Sequence, residues 1–200
     1  MAKKLSRRSR LTHPLALAAM FGGSLLVGLW LMLGALGSMR AAAAIGGPFH
    51  LEDQQGISVT EAALKGRPTI LFFGFTHCPD ICPTTLFEIS EMLRALGPDA
   101  DRLNTWFVSV DPERDTRAVM AEYLTGFDPH IRGLTGTPDE LKSLLQGYKV
   151  YARKVPLAAG DYTVDHTASV YLMNRESTFV SSFNLKRPLQ AAVADLRRFF

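Results

Sequence analysis

The chain is 200 residues long and has 22 Lys and Arg against 19 Asp and Glu, a formal net charge of +3. Five basic residues lie within the first ten positions, which leaves −2 on the rest of the chain; they are Lys3, Lys4, Arg7, Arg8 and Arg10. The excess of positive charge therefore belongs to a short tail. Because no basic patch is interleaved with aromatic residues, the sequence argues against nucleic-acid binding.

An uncharged, apolar run over residues 15–36 follows this tail. As a helix it would span about 30 Å of hydrocarbon, and the positive-inside rule keeps the basic tail, residues 1–14, in the cytoplasm. We therefore predict a transmembrane anchor over 15–36, a linker over 37–47 and a domain over 48–200. The expected location is a bacterial inner membrane, crossed once, with the soluble domain in the periplasm. A signal peptide cleaved near residues 41–44 is the alternative, although its apolar region is usually shorter, about 7–15 residues.

The domain begins with a predicted hairpin over residues 49–59 and a brief helix capped by Thr60. Residues 68–75, PTILFFGF, form a continuous apolar run that is typical of a strand buried on both faces. The elements predicted next are a helix over 84–96, a strand over 106–110, helices over 116–124 and 138–148, a hairpin over 168–183 and a helix over 188–200. This order, a βαβ unit joined to a ββα unit, predicts an α/β, thioredoxin-like fold.

The chain has two cysteines, Cys78 and Cys82, in the segment FGFTHCPDICPTT between the first buried strand and the helix. Two cysteines are too few for a small disulfide scaffold and favour a redox pair or a metal site. A helix N-terminus favours thiolates. On one helical turn, residues i and i+4 have Cα atoms about 6 Å apart, within the disulfide range of about 4.4–6.8 Å. The pair can therefore close a disulfide or bind one soft ion; two thiolates with one imidazole suit copper better than a four-ligand zinc site.

Five histidines are available as a third ligand. Three are poor candidates because they lie in the tail or in predicted surface loops: His13, His50 and His130. His77 adjoins Cys78, but the side chains of neighbours in an extended segment point apart. His166 lies in GDYTVDHTAS, a predicted loop before a strand, and Asp165 or another neighbour would orient its ring. The residues alone leave His77 and His166 open.

Five segments together are similar to the Sco/SenC family of copper proteins from about residue 47 onwards: GGPFHLEDQQG, GRPTILFFGFTHCPDICPTT, VSVDPERDT, YARKVPL and DYTVDHTASVYLMN. The resemblance implies a thioredoxin-like fold on a membrane anchor. It also implies one copper ion, Cu(I) or Cu(II), bound by Cys78, Cys82 and His166. The implied role is to deliver copper, or reducing equivalents, to the binuclear copper site of cytochrome c oxidase subunit II, with an upstream copper donor protein as a further partner.

Besides a copper sensor that signals redox state, which the sequence cannot separate from copper delivery, three functions stay open at this point. The first is a copper metallochaperone. The second is a thiol–disulfide oxidoreductase that uses Cys78 and Cys82 on the cysteines of the same oxidase subunit, and the third is a thioredoxin-like peroxidase. His166 discriminates among them, because copper needs an imidazole while disulfide exchange and peroxide chemistry have no obvious use for it. We expect Asp80 to cap the helix rather than to approach the metal, and we assign no chemistry to the stretch DPERDT.

Overall fold

The computed structural model describes residues 26–34 and 45–200. Residues 26–34 are helical, and the compact unit comprises Ile45–Phe200. The predicted tail over 1–14 and most of the predicted anchor over 15–36 lie outside the described residues. Among those that are described, no helix is both long enough and apolar enough to cross a membrane.

Nine strands and four α-helices make up the unit within residues 45–200. The strands are β1 (His50–Asp53), β2 (Ser58–Thr60), β3 (Thr69–Gly74), β4 (Asn104–Ser109), β5 (Ile131–Thr135), β6 (Ala152–Pro156), β7 (Tyr162–His166), β8 (Val170–Met173) and β9 (Phe179–Ser182). The helices are α1 (Ile81–Leu96), α2 (Arg117–Leu124), α3 (Pro138–Gly147) and α4 (Leu189–Arg197). Short 3-10 helices cover Glu61–Leu64, Gly97–Arg102 and Ala158–Gly160.

Seven strands form one sheet in the order β2-β1-β5-β4-β3-β8-β9. Strands β3, β4 and β5 are parallel, while β1 and β8 border them in the antiparallel direction. All six residues of β3 are buried, as its unbroken apolar run predicts for a central strand. The ring of Phe72 on β3 stacks on Phe107 of β4 with centroids 5.8 Å apart. The hydrophobic core therefore extends along β3 as far as Gly74, where the strand ends and the cysteine segment follows.

Helix α1 follows β3 and buries its predicted apolar stripe: Leu86, Ile89, Leu93 and Leu96. It begins at Ile81, three residues earlier than the predicted start, so Cys82 is in its first turn. Cys78 lies before the helix and not on it, which corrects the assumption that both cysteines share a helical turn. The physical reason is Pro79, because the residue before a proline is disfavoured in the helical conformation.

Three strands were not predicted from the sequence. Strand β5 has a short pattern interrupted by a glycine, and β6 and β7 are polar, with only one fully buried residue between them. These last two pair with each other as a separate two-stranded hairpin, the hairpin β6–β7. His166 is the last residue of β7. The prediction that it lies in a loop was therefore wrong, and its position depends on how this hairpin packs.

Candidate metal centre

The two cysteines lie where the chain turns from β3 into α1. Both are free thiols; Cys78 is half-buried and Cys82 is fully buried. The backbone N–H of Cys82 donates to the Sγ atom of Cys78 over 3.4 Å. Pro83 lies in the first turn of α1, where its missing N–H and fixed φ are tolerated. One cysteine is therefore held inside the domain, and the other lies beside it, half-buried.

The Sγ atom of Cys82 lies next to Gly74, which has no side chain. A Cβ atom at Gly74 would come within 2.8 Å of the Sγ atom of Cys82 and 2.7 Å of the Cε2 atom of Phe107. Real Cβ contacts are essentially never this short. Residue 74 must therefore be glycine for Cys82 to occupy this position.

His166 meets Cys82 from the hairpin. Its Nε2 atom is 3.8 Å from the Sγ atom of Cys82, and its Nδ1 atom is 3.1 Å from the carbonyl oxygen of Thr167. A carbonyl can only accept, so Nδ1 carries the proton and donates it, which leaves the lone pair of Nε2 directed at the sulfur. The ring of Phe75 packs edge-on against the imidazole with centroids 5.7 Å apart.

Burial makes both facing groups neutral. It raises the pKa of the Cys82 thiol well above its ordinary value, and the neighbouring Cys78 and Asp115 act in the same direction, against the backbone bond at Phe75. Burial also lowers the pKa of His166, which outweighs the opposing effects of the Thr167 carbonyl and Asp165. The thiolate expected at a helix N-terminus is thus disfavoured at Cys82 by loss of solvent.

The spacing of this pair suits two ligands of one metal ion. The bond lengths typical of zinc are about 2.3 Å to sulfur and 2.0 Å to imidazole nitrogen. At a trigonal angle, such bonds place the two donor atoms roughly 3.7 Å apart. The 3.8 Å between Cys82 and His166 fits that value. Among the described residues, however, no three His, Cys, Asp or Glu side chains are already arranged to hold a metal ion. The thiol of Cys78 is the nearest further soft donor along the chain.

The other histidines have partners away from this pair. The Nδ1 atom of His77 is 3.0 Å from the hydroxyl of Thr76. His50 contacts Ser58 and Glu140, and His130 contacts Asp128 and Asp101. His13 lies outside the described residues.

Two predicted acidic roles are not seen. Asp80 occupies the N-cap position of α1 but forms no capping hydrogen bond through its side chain. Asp165 is exposed and lies 3.9 Å from Arg153, so the group that orients the ring of His166 is the carbonyl of Thr167. That neighbour is the next residue along the chain, and its carbonyl is a backbone acceptor that sequence alone does not reveal.

A buried carboxylate supports the cysteine turn from below. Asp115 accepts hydrogen bonds from the hydroxyl of Thr76 over 2.7 Å, from its backbone N–H over 3.1 Å, and from the hydroxyl of Ser109 over 2.7 Å. Burial raises the pKa of Asp115, and the hydrogen bonds from Thr76 and Ser109 oppose that rise. The side chain therefore ties the end of β4 to the turn that carries Cys78.

A second polar cluster joins the same region to the hairpin. The Nε atom of Arg114 donates to Asp111 over 2.5 Å, and its Nη1 atom donates to the carbonyl of Tyr162 over 2.9 Å. The hydroxyl of Tyr162 donates to the other carboxylate oxygen of Asp111 over 2.8 Å. Asp111, Arg114 and Asp115 all come from DPERDT, to which no chemistry was assigned. The sequence does contain a sign of this role, because Asp111 and Asp115 closely follow a buried strand that ends at the same edge of the sheet as the cysteines.

Comparison with known proteins places this geometry in a family. The SCO1/SenC family model matches residues 37–200. The structure of Bradyrhizobium japonicum ScoI with copper bound is 61% identical, with a TM-score of 0.77 over 78% of this chain and 100% of that chain. Yeast Sco1 with copper bound is 40% identical, with a TM-score of 0.71 over 78% of this chain and 87% of that chain.

Among curated proteins, SCO1 homolog 1 of Arabidopsis thaliana, a mitochondrial protein, is 45% identical over 148 residues, which are 74% of this chain and 44% of that protein. The chain spans about half the length of the plant and yeast relatives that it matches. The match to the family model covers the whole compact unit, and the solved relatives share its architecture, so the predicted thioredoxin-like fold is confirmed. The chain belongs to the SCO1/SenC family.

Proposed function

We propose that this protein is a copper metallochaperone. It binds one copper ion as cargo through Cys78, Cys82 and His166 and delivers it to the binuclear copper site of cytochrome c oxidase subunit II. The observation that carries the proposal is the 3.8 Å contact between the Nε2 atom of His166 and the Sγ atom of Cys82, with Nδ1 occupied by a carbonyl. The copper bound in the Bradyrhizobium and yeast relatives supports the choice of metal.

The donor set suits both oxidation states of copper. Thiolates favour Cu(I), while imidazole also suits Cu(II). Loss of solvent keeps the Cys82 thiol and the His166 imidazole neutral, so a cation entering between them displaces the thiol proton and restores charge balance. Cys78 is half-buried. Its side chain turns towards the ion to complete the set, and it is the ligand through which a recipient protein reaches the cargo.

The substitution His166→Ala tests the ligand set. Cu(II) affinity should fall by more than the 10–100-fold typical for loss of an outer-shell partner, and the thiolate-to-Cu(II) absorption should disappear. Cu(I) affinity should fall less, because two thiolates still hold a soft ion. The Cys78–Cys82 disulfide should still form. Titration of the reduced protein with each ion, followed by absorption, measures all of this.

Two controls make the result specific. His77→Ala removes the rival imidazole next to Cys78 and should leave Cu(II) affinity within about twofold of wild type. Oxidised protein should take up almost no copper, since a disulfide has no thiolate to donate. Wild-type Cu(II) binding by His166→Ala would refute the ligand set, and equal binding by reduced and oxidised protein would exclude the cysteines.

Thiol–disulfide exchange is the second candidate function. A half-buried thiol beside a fully buried one favours it. The Cys78 thiolate would attack a disulfide of the oxidase subunit and release one of its sulfurs as a thiolate. Cys82 would then resolve the mixed disulfide, so that two electrons and two protons pass to the subunit and a Cys78–Cys82 disulfide remains. If His166→Ala loses copper while oxidase assembly stays normal, this candidate replaces the metallochaperone. A peroxidase is less well supported, because peroxide chemistry has no obvious use for the imidazole that faces Cys82.

We further propose that residues 15–36 anchor the protein in a bacterial inner membrane with the domain in the periplasm, where an upstream donor protein supplies copper. The uncharged run behind a basic tail supports this orientation. Carbonate extraction should leave the protein in the membrane, and protease added to spheroplasts should digest the domain. Recovery of the full-length protein in the soluble cytoplasmic fraction would refute the proposal.

A further inference from the structure

The hairpin β6–β7 is attached to the rest of the domain through a few side chains. Val164 is part of the hydrophobic core, and Lys154 pairs with Glu113. The two strands of the hairpin pair only with each other, and Val164 is their one buried residue. Tyr162, Val164 and His166 alternate along β7 and therefore share the face that points at the domain. Tyr162 and His166 are four residues apart, about 13 Å along a strand. Whatever holds Tyr162 therefore sets where His166 can lie.

Tyr162 is held by charged groups on three sides. The guanidinium of Arg114 lies 3.8 Å from its ring centroid and also donates to its carbonyl. Lys154, on the paired strand, lies 4.4 Å from the centroid of the same ring. Buried Asp111 accepts a hydrogen bond from the phenol hydroxyl. The hydroxyl of Tyr162 therefore bonds to a carboxylate that already pairs with Arg114. Hydrogen bonds to a charged, buried partner are the strong ones.

The same guanidinium reaches the imidazole through one aromatic ring. Arg114 lies 5.8 Å from the ring centroid of Phe75, and that ring packs edge-on against His166 at 5.7 Å. The side chain of Arg114 is 18% exposed, and its Nη2 atom has no hydrogen-bond partner within the described part of the chain. Arg114 thus touches both the residue that holds the hairpin and the ring that supports the imidazole.

We propose that Asp111, Arg114 and Tyr162 form a clamp that positions His166 and thereby sets the preference of the site for Cu(II) over Cu(I). The inference rests on the proposed copper site. The two sulfurs do not depend on the hairpin, because Cys78 lies in the turn between β3 and α1 and Cys82 lies in the first turn of α1. Loosening the clamp withdraws the imidazole alone, and the imidazole is the ligand that Cu(II) needs most.

The test compares Tyr162→Ala, which removes the ring and its hydroxyl, with Tyr151→Ala as the control. Tyr151 borders the same hairpin but exposes its side chain. Tyr162→Ala should lower Cu(II) affinity by about 10–100-fold, as other outer-shell losses do, and should change Cu(I) affinity by less than about threefold. Tyr151→Ala should leave both within about twofold. In the metal-free protein, amide hydrogen exchange in β6 and β7 should accelerate for Tyr162→Ala only.

A double-mutant cycle shows whether the clamp acts through the imidazole. In a His166→Ala background, Tyr162→Ala should cause no further loss of Cu(II) affinity. Wild-type Cu(II) affinity in Tyr162→Ala, or an additive loss in the double variant, overturns the clamp. If Tyr162→Ala fails to fold, Tyr162→Phe removes only the bond to Asp111 and must show the same selective loss. If the wild-type protein itself binds no Cu(II), or His166→Ala binds it normally, the copper proposal fails rather than the clamp.

Discussion

The two sides of the proposed metal centre are built in different ways. Cys82 rests on the hydrophobic core, at the junction of a fully buried strand and a long helix. His166 rests on a two-stranded hairpin with one buried residue, and polar side chains hold that hairpin to the domain. Cys82 is therefore held by the core of the fold, whereas His166 is held by one buried valine, a few hydrogen bonds and cation–π contacts.

Because of this difference, one proposed ligand can move away while the other side of the site stays folded. A core-bound ligand moves only when the core opens, but a hairpin with its own hydrogen bonds can open locally at a lower free energy. When the domain opens locally, the imidazole of His166 should therefore move away before the two sulfurs do. Three measurements test this difference, and the one with the largest expected effect comes first.

The largest effect should come from breaking the cysteine side. Phe72→Ala in β3 removes a fully buried ring stacked on Phe107. It should lower the free energy of unfolding by about 3–5 kcal/mol, measured by urea denaturation of the metal-free domain. The control is Phe87→Ala, whose ring is 57% exposed, and its cost should stay below about 1 kcal/mol. Similar costs for the two variants would mean that the core does not hold this side.

Hydrogen exchange should separate the two sides in the unmodified protein. Amides of β6 and β7 should exchange through local opening, at least about a hundredfold faster than those of β3. That ratio is a difference of about 3 kcal/mol in opening free energy. Mass spectrometry of peptides from residues 69–74 and 152–166 measures it without any substitution. Equal protection would show that hairpin and core open together.

The smallest effect should appear at acidic pH. The measurement compares Asp53, a carboxylate of the domain body, with Asp165, a carboxylate of the hairpin. Burial alone would raise the pKa of Asp53, but bonds from Arg132 and from the N–H groups of Ile57 and Gln55 outweigh it and lower the pKa below the ordinary 3.8. A lowered folded-state pKa stabilises the fold above pH 3.8, and that contribution is lost as the pH falls through the folded value.

Asp53→Asn should therefore flatten the pH dependence of the free energy of unfolding between about pH 4 and pH 2. Urea denaturation at a series of pH values measures the slope. The control is Asp165→Asn on the hairpin, whose side chain is 58% exposed, and its slope should match that of wild type. An unchanged slope for Asp53→Asn would show that the carboxylate is not stabilised by its partners.

The cysteine side was predictable because the residues that form it follow one another directly in the sequence. One apolar run gives β3, the next periodic segment gives α1, and the two cysteines lie between them. The hairpin was not predictable for the opposite reason. Its strands are short and polar and bury only one residue, so hydrophobicity does not mark them. The pairing of Arg114 with Tyr162 joins residues 48 positions apart, and the choice of His166 depended on the family resemblance rather than on any local pattern.

Gly74 has a consequence for inheritance. The sulfur of Cys82 occupies the space that even a methyl group at this position would need, so adding one carbon atom at residue 74 would displace a proposed ligand. If the proposed copper site is right, a genetic screen for its loss should recover codon 74 together with the codons for the two cysteines and the histidine. Inherited loss of the site would then arise at more positions than its ligands, including one that has no side chain.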